Sequence, residues 1–302
     1  VILVGGLVLL LGLKKLYLWG DQATFNETEL FHTKAAYLNP TFFAIRMIVF
    51  CAALLIFRKL LVGNSLKQDV DGKEIYTHQS VGTSIAFLLV FALGFSLFSV
   101  DLLMSLLPQW YSTIYGIYMF SGMFQATMAA LVLLMIYVRR QGFVKGYVTD
   151  EHIHDVAKYM KAFTIFWAYI AFSQYMLIWY ANIPEETAFY KPRESSGAWI
   201  TVSVILLLVH LLIPFPGLLS RWIKRSKPAL IFWACWLLVA HWIDLFYIIH
   251  PTWAGRVSGD LLKPIDPQIP LLEILCTVGV GGIWLGALAK RAAGISLVPE
   301  KD

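Results

Sequence analysis

Runs of apolar residues long enough to cross a bilayer constrain this chain more than any other feature. A helix needs about 20 mostly apolar residues to span about 30 Å of hydrocarbon. Eight runs reach that length, at about 1–19, 40–58, 80–104, 112–138, 157–181, 198–220, 228–249 and 270–289, termed A to H. Without water to satisfy backbone N–H and C=O groups, each run is predicted to be a helix. Nothing alternates over the ~10-residue units of a membrane barrel. The expected fold class is all-α, a polytopic transmembrane helix bundle with 1–302 forming a single integral membrane domain.

Composition excludes the competing classes. Of 302 residues, 59% are hydrophobic and 14% charged, against about 25% charged in a soluble domain. A soluble globule, a disordered chain and a secreted disulfide scaffold are ruled out. Cys51, Cys235 and Cys276 each stand alone in apolar sequence and read as small packing residues. No Cys-x-x-Cys or heme-attachment motif is present. The net charge of +5 does not indicate nucleic acid, because the basic residues lie in short loops where they set orientation. Fifteen Lys and Arg fall on the side of loops B–C, D–E, F–G and the C-terminus, and seven on the other side. The positive-inside rule places the fifteen, with the C-terminus, in the cytoplasm. The chain opens at Val1 without Met or a basic leader, which does not read as a signal peptide and suggests a preceding segment. Trp19, Trp110, Tyr111, Trp179, Tyr180, Trp199, Trp222 and Trp253 crowd the run ends and read as an interfacial belt. Gly282 and Gly286 in run H read as a helix-packing face.

Ionisable residues inside the runs are the functional candidates, since each costs at least ~2.5 kcal/mol to insert at the bilayer centre. They are Arg46, Asp101, Lys161, His210, His241, Asp244 and Glu273, joined by Gln125, Ser173 and Gln174. Lys161 lies near the inner interface and reads as a snorkelling side chain. The others form an outer-half cluster reaching down to two midplane histidines. His241 and Asp244, at i and i+3, share a helical face, where a carboxylate beside an imidazole suits a proton relay. Pro214 is four residues after His210 and removes the backbone bond to its carbonyl; Pro216 does the same to Leu212. Run F is therefore expected to kink beside a small hydrated pocket. The proton-path candidates are thus Asp101, His210, His241, Asp244, Glu273, Arg46 and Gln174.

Other arrangements compete with this one. Buried polar residues in a bundle often only tie helices together. A b-type heme on His210 and His241 is possible in geometry, although Asp244 offers His241 a simpler partner. His152 and His154, two apart, point away from each other on a helix and do not suit a metal. Glu151 and Asp155 read as acidic residues favouring a helix N-terminus. Glu185 and Glu186 fit either a proton-gathering exit or a solvated turn.

Three segments carry a family resemblance: Asp101-Leu-Leu-Met-Ser-Leu-Leu-Pro-Gln-Trp-Tyr-Ser-Thr-Ile-Tyr-Gly-Ile-Tyr118; Phe166-Trp-Ala-Tyr-Ile-Ala-Phe-Ser-Gln-Tyr-Met-Leu-Ile-Trp-Tyr-Ala-Asn-Ile-Pro-Glu-Glu-Thr187, preceded by Glu151-His-Ile-His-Asp155; and His241-Trp-Ile-Asp244. From about Lys34 to Trp253 the chain resembles the ActF subunits of bacterial alternative complex III, which are NrfD/PsrC-like integral membrane subunits. The resemblance implies ten transmembrane helices, two of them before Val1, arranged as two four-helix bundles with peripheral helices. It also implies a place in a quinol:cytochrome c oxidoreductase of the bacterial inner membrane. One turn departs from the family. Leu102 replaces an aromatic, and Leu107-Pro-Gln-Trp110 replaces acid-Pro-His-Trp, so that turn supplies neither the acid nor the histidine.

The implied partners are an ActC-like sister subunit, an iron–sulfur subunit, a multiheme cytochrome c subunit and a terminal oxidase, with membrane lipids around them. Heme c and iron–sulfur clusters are expected in those partners and no cofactor in this chain, with menaquinone or lipid nearby. The expected function is a redox-inert subunit that stabilises the membrane sector and contributes a proton half-channel. An assembly scaffold, a quinone-binding subunit and a secondary transporter with a midplane site are the alternatives. The transporter reading lacks a repeat between halves and an unwound Gly/Pro pair.

Overall fold

The computed structural model describes residues 2–27, 31–144, 146–258, 266–292 and 298. Among them every regular element is helical. The long helices are α1 (Ile2–Leu16), α2 (Pro40–Asp71), α3 (Ile75–Leu102), α4 (Tyr115–Arg140), α5 (Asp150–Ala181), α6 (Gly197–Leu207), α7 (Lys227–Ser258) and α8 (Leu271–Ala292). Seven are long and apolar enough to cross a membrane, α6 by continuing to Gly217. By helix length and hydropathy the chain is a multi-pass membrane protein.

That is one span fewer than the apolar runs predict. Run A yields α1, whose 15 described residues extend about 22 Å at 1.5 Å per residue and which is not among the seven. The chain turns extended at Tyr17 (φ −119°, ψ 138°) and enters a 3-10 turn, Leu18–Gly20. Tyr17, Trp19 and Phe25 are buried there, with the Trp19 ring 5.2 Å from Phe43. Trp19 is therefore core and not belt. The same correction applies to Trp110 and Trp199, both buried, whereas Tyr111, Trp179, Tyr180, Trp222 and Trp253 are exposed. The Trp110 indole donates to the Glu186 carbonyl at 2.9 Å, which removes its reason to seek the interface.

The chain divides into two compact units, Val1–Asp101 with Ile269–Asp302, and Leu102–Gln268. In the first, α2 begins at Pro40 behind an Asn39 cap that accepts from the Phe42 N–H at 2.8 Å. It ends at Gly72 in the left-handed conformation (φ 62°), whose N–H returns to the Gln68 carbonyl. Its 32 residues run well beyond the apolar stretch 40–58. Helix geometry outlasts hydrophobicity here because polar side chains pair across the end, as Thr77 does with Gln68 at 3.0 Å. In α8 no residue is buried, and the Gly282 and Gly286 face has nothing within 4 Å. The expected packing face therefore packs against nothing among the described residues. Cys51 is buried as predicted, but Cys235 and Cys276 are exposed.

The second unit contains α4, α5, α6 and α7. Thr149 and His152 form a reciprocal cap at the start of α5, with Asp150 and Glu151 in its first turn. Arg139 pairs with Asp150 and Arg225 with Glu151. These pairs are exposed, so each contributes little. Towards this end of the unit the core is apolar: Ala129, Val132 and Ile136 of α4 meet Ile153, Ala157 and Met160 of α5, with Leu230, Ala234 and Leu237 of α7. Lys145, Lys263 and Lys301, which are among the loop and terminal cations of the expected orientation, lie outside the described residues.

Gly217 closes the α6 segment directly against the Trp233 ring, where a Cβ would be forced into the indole. Gly217→Ala is expected to destabilise the protein by about 1–3 kcal/mol. A lowered midpoint of thermal unfolding in detergent, relative to a Gly197→Ala control in open space, checks this.

Candidate functional site

The second unit buries a polar centre around Asp244 of α7, which is 2% exposed. Both carboxylate oxygens accept hydrogen bonds. Tyr118 of α4 donates its hydroxyl to Oδ1, and Trp167 of α5 donates its indole N–H to Oδ2 at 2.9 Å. Three helices thus converge on one carboxylate. Hydrogen bonds to a charged acceptor are among the stronger ones, and a low-dielectric setting raises the cost of losing either. His241 does share the face of Asp244, as the i, i+3 spacing predicts. Its Nδ1, however, is 3.9 Å from Oδ2, beyond hydrogen-bond length. The expected direct His–Asp bond is replaced by Tyr118 and Trp167. Gly122 gives His241 its room, since a Cβ there would meet Nδ1 and Cε1 at 2.9 Å.

His210 is fully buried and lies flat on Trp167, with ring centroids 3.6 Å apart and planes 16° apart. Its Nε2 is 2.5 Å from Gln125 Oε1. Gln125 Nε2 donates to the Thr164 hydroxyl at 2.8 Å, and that hydroxyl donates to the Met160 carbonyl at 3.0 Å. The His210 and His241 rings are 6.5 Å apart. Trp167 therefore joins the two halves of the centre, touching His210 with its face and Asp244 with its edge.

Proline breaks shape this region. The α6 chain passes into a π-helical stretch, Leu208–Leu212, that contains His210. There the Ile213 N–H bonds the Leu208 carbonyl at 2.9 Å, five residues back. In α register Pro214 would free the His210 carbonyl, as the sequence predicts. In π register it frees Val209 instead, and the Trp236 indole donates to that oxygen at 2.8 Å. A second break lies in α7, which contains Pro251. Pro251 has no N–H for the Tyr247 carbonyl four residues back. Arg193 takes that place. Its guanidinium donates to Tyr247 at 3.0 Å, to Ile248 at 2.6 Å and to Phe189. Arg193 is 1% exposed, and burial pushes its pKa down from the usual value.

A cavity of about 530 Å³ lies beside the centre, reached by Tyr118, Trp167, Gln174, Tyr190, Arg193 and Tyr247. Its outer residues Phe172, Ile200 and Val204 are exposed and apolar. Such a cavity suits an amphipathic ligand.

Of the sequence candidates, His210, His241 and Asp244 come together, and Gln174 lines the adjoining cavity. Arg46 and Asp101 belong to the first unit, where they form a two-pronged pair at 2.7 and 2.8 Å. A third Arg46 nitrogen donates to the Tyr37 carbonyl at 3.1 Å. Glu273, half-buried on α8, is also in the first unit. Tyr118, Thr164, Trp167 and Arg193 were not candidates in the sequence. Aromatic residues in apolar runs look like packing, and Arg193 looks like one more loop cation. The available signal is the spacing of Pro251 from Tyr247, which frees a carbonyl four residues back without showing which side chain fills it. Among the described residues, no group of three His, Cys, Asp or Glu side chains is placed to hold a metal.

No protein-family model matches the chain, and no curated protein sequence matches it significantly.

Arg193→Ala is expected to leave the carbonyls of Phe189, Tyr247 and Ile248 without that donor. At about 1–3 kcal/mol per unmet buried group, the loss is several kcal/mol. Arg193→Lys should recover part of it. Chemical unfolding of the two variants in mixed micelles measures the difference.

Proposed function

We propose that this chain is an integral membrane subunit of a quinol:electron-acceptor (cytochrome c) oxidoreductase of alternative complex III type. In this reading it resides in the bacterial inner membrane with its C-terminus in the cytoplasm. It belongs with the NrfD/PsrC-like subunits, whose ten helices form two four-helix bundles. It stabilises the membrane sector and carries a proton half-channel, while heme- and iron–sulfur-bearing partners carry the electrons.

One observation carries the reading. The three sequence segments that resemble the family are the segments that meet at Asp244. The first ends at Tyr118, the second supplies Trp167 and Gln174, and the third is His241–Asp244. A buried carboxylate with two imidazoles nearby is a set of groups that can exchange protons, and such groups inside a membrane are usually functional. A second reading, that this chain itself binds a quinone, is favoured by the cavity that reaches Tyr118 and Trp167.

Purification through a tag on this chain, in gentle detergent, should bring down heme c and iron–sulfur subunits while the separated chain is colourless. In proteoliposomes, Asp244→Asn and His241→Gln should lower the proton-to-electron ratio below that of the parent complex while the complex still assembles and oxidises quinol. An unchanged ratio would leave only a scaffolding role. A visible b-type spectrum from the separated chain would overturn the reading at its centre.

A further inference from the structure

The hydrogen bonds around His210 have a direction, and the direction decides which ring nitrogen can exchange a proton. The Thr164 hydroxyl has one hydrogen, which it gives to the Met160 carbonyl. Towards Gln125 it can then only accept, so the group facing it is the Gln125 amide NH₂. That fixes the Gln125 oxygen towards His210, and an amide oxygen only accepts. His210 must therefore carry its proton on Nε2. The other nitrogen, Nδ1, is left as a lone pair, buried and without a hydrogen-bond partner among the described residues.

We propose that Gln125 and Thr164 are positioning residues that lock His210 as its Nε2–H tautomer and make it the closed inner end of the polar centre. The ring takes up a proton at Nδ1 and returns it from Nδ1. The Nε2 proton stays with Gln125, because an amide oxygen is too weak a base to take it onward. The geometry beyond Thr164 agrees. Its hydroxyl proton ends on a backbone carbonyl, and the next buried residues of α5, Met160 and Ala157, belong to the apolar core, with the buried His154 following them. From Thr164 to Ala157 the helix rises about 10 Å at 1.5 Å per residue. Gln125 to Ile136 on α4 rises about 16 Å, through apolar core residues alone. A proton at His210 thus meets an apolar layer on that side, and the centre loads and unloads from the Asp244 side alone. The inference deepens the half-channel reading and rests on it for its biological meaning. The tautomer itself does not depend on that reading.

The test is nitrogen-15 NMR of the histidine-labelled intact protein in lipid nanodiscs, with the His210 signals assigned by their loss in His210→Gln. The expected spectrum shows a protonated Nε2 and a bare Nδ1. Thr164→Ser should retain it. Thr164→Val frees the Gln125 amide to turn, and Gln125→Leu removes the acceptor. Both should lose the bare Nδ1 signal wholly or in part. A protonated Nδ1 with a bare Nε2 in the parent protein would overturn the proposal without any variant needing to fold. A tautomer indifferent to both Gln125→Leu and Thr164→Val would overturn the positioning role. No turnover is read, so this outcome is separate from the proton-to-electron ratio of Asp244→Asn.

Discussion

In hydrocarbon an unmet polar group has no water to fall back on, and the second unit is organised by that constraint. A proline break in a helix creates a carbonyl that the helix cannot satisfy, and at two of these breaks a side chain from another element meets it. Arg193 fills the gap left by Pro251, and Trp236 the gap left by Pro214. These contacts hold irregular backbone in places where an unbroken helix would leave no room for a polar centre. The π-helical stretch also brings His210 onto Trp167, so local backbone irregularity and the candidate site share one cause.

Trp167 links the centre because its two chemistries point in different directions. Its ring face carries His210, and its N–H edge holds Asp244. The pair of donors on Asp244 explains why His241 can stand 3.9 Å away. With both oxygens already accepting, the carboxylate does not need the imidazole to be satisfied.

The outward faces follow a different rule. Leu88, Leu89 and Leu93 of α3 are each more than 60% exposed. In water a continuous surface of this kind would drive association; in a bilayer the lipid tails satisfy it. In the first unit the deeply placed ion pair of Arg46 with Asp101 has complementary two-pronged geometry that offsets desolvation.

The sequence alone determined the all-α class and the seven spans B to H. Hydrophobic length, and the need to close backbone hydrogen bonds inside lipid, leave no other solution. It also placed His241 and Asp244 on one face, because helical periodicity is local. Span ends were less legible. α2 and α5 run past their apolar stretches on caps and polar pairs that hydropathy does not register, and run A turns aside at Tyr17 into an aromatic cluster. Tertiary structure decided everything that depends on which helices meet: that Tyr118 and Trp167, not His241, hold Asp244; that Trp110 and Trp199 are core; that Gln125 and Thr164 orient His210; and that Arg193 is a buried donor and not a loop cation. A sequence records which groups a helix presents. The partner that satisfies each of them comes from another helix, and only packing chooses it.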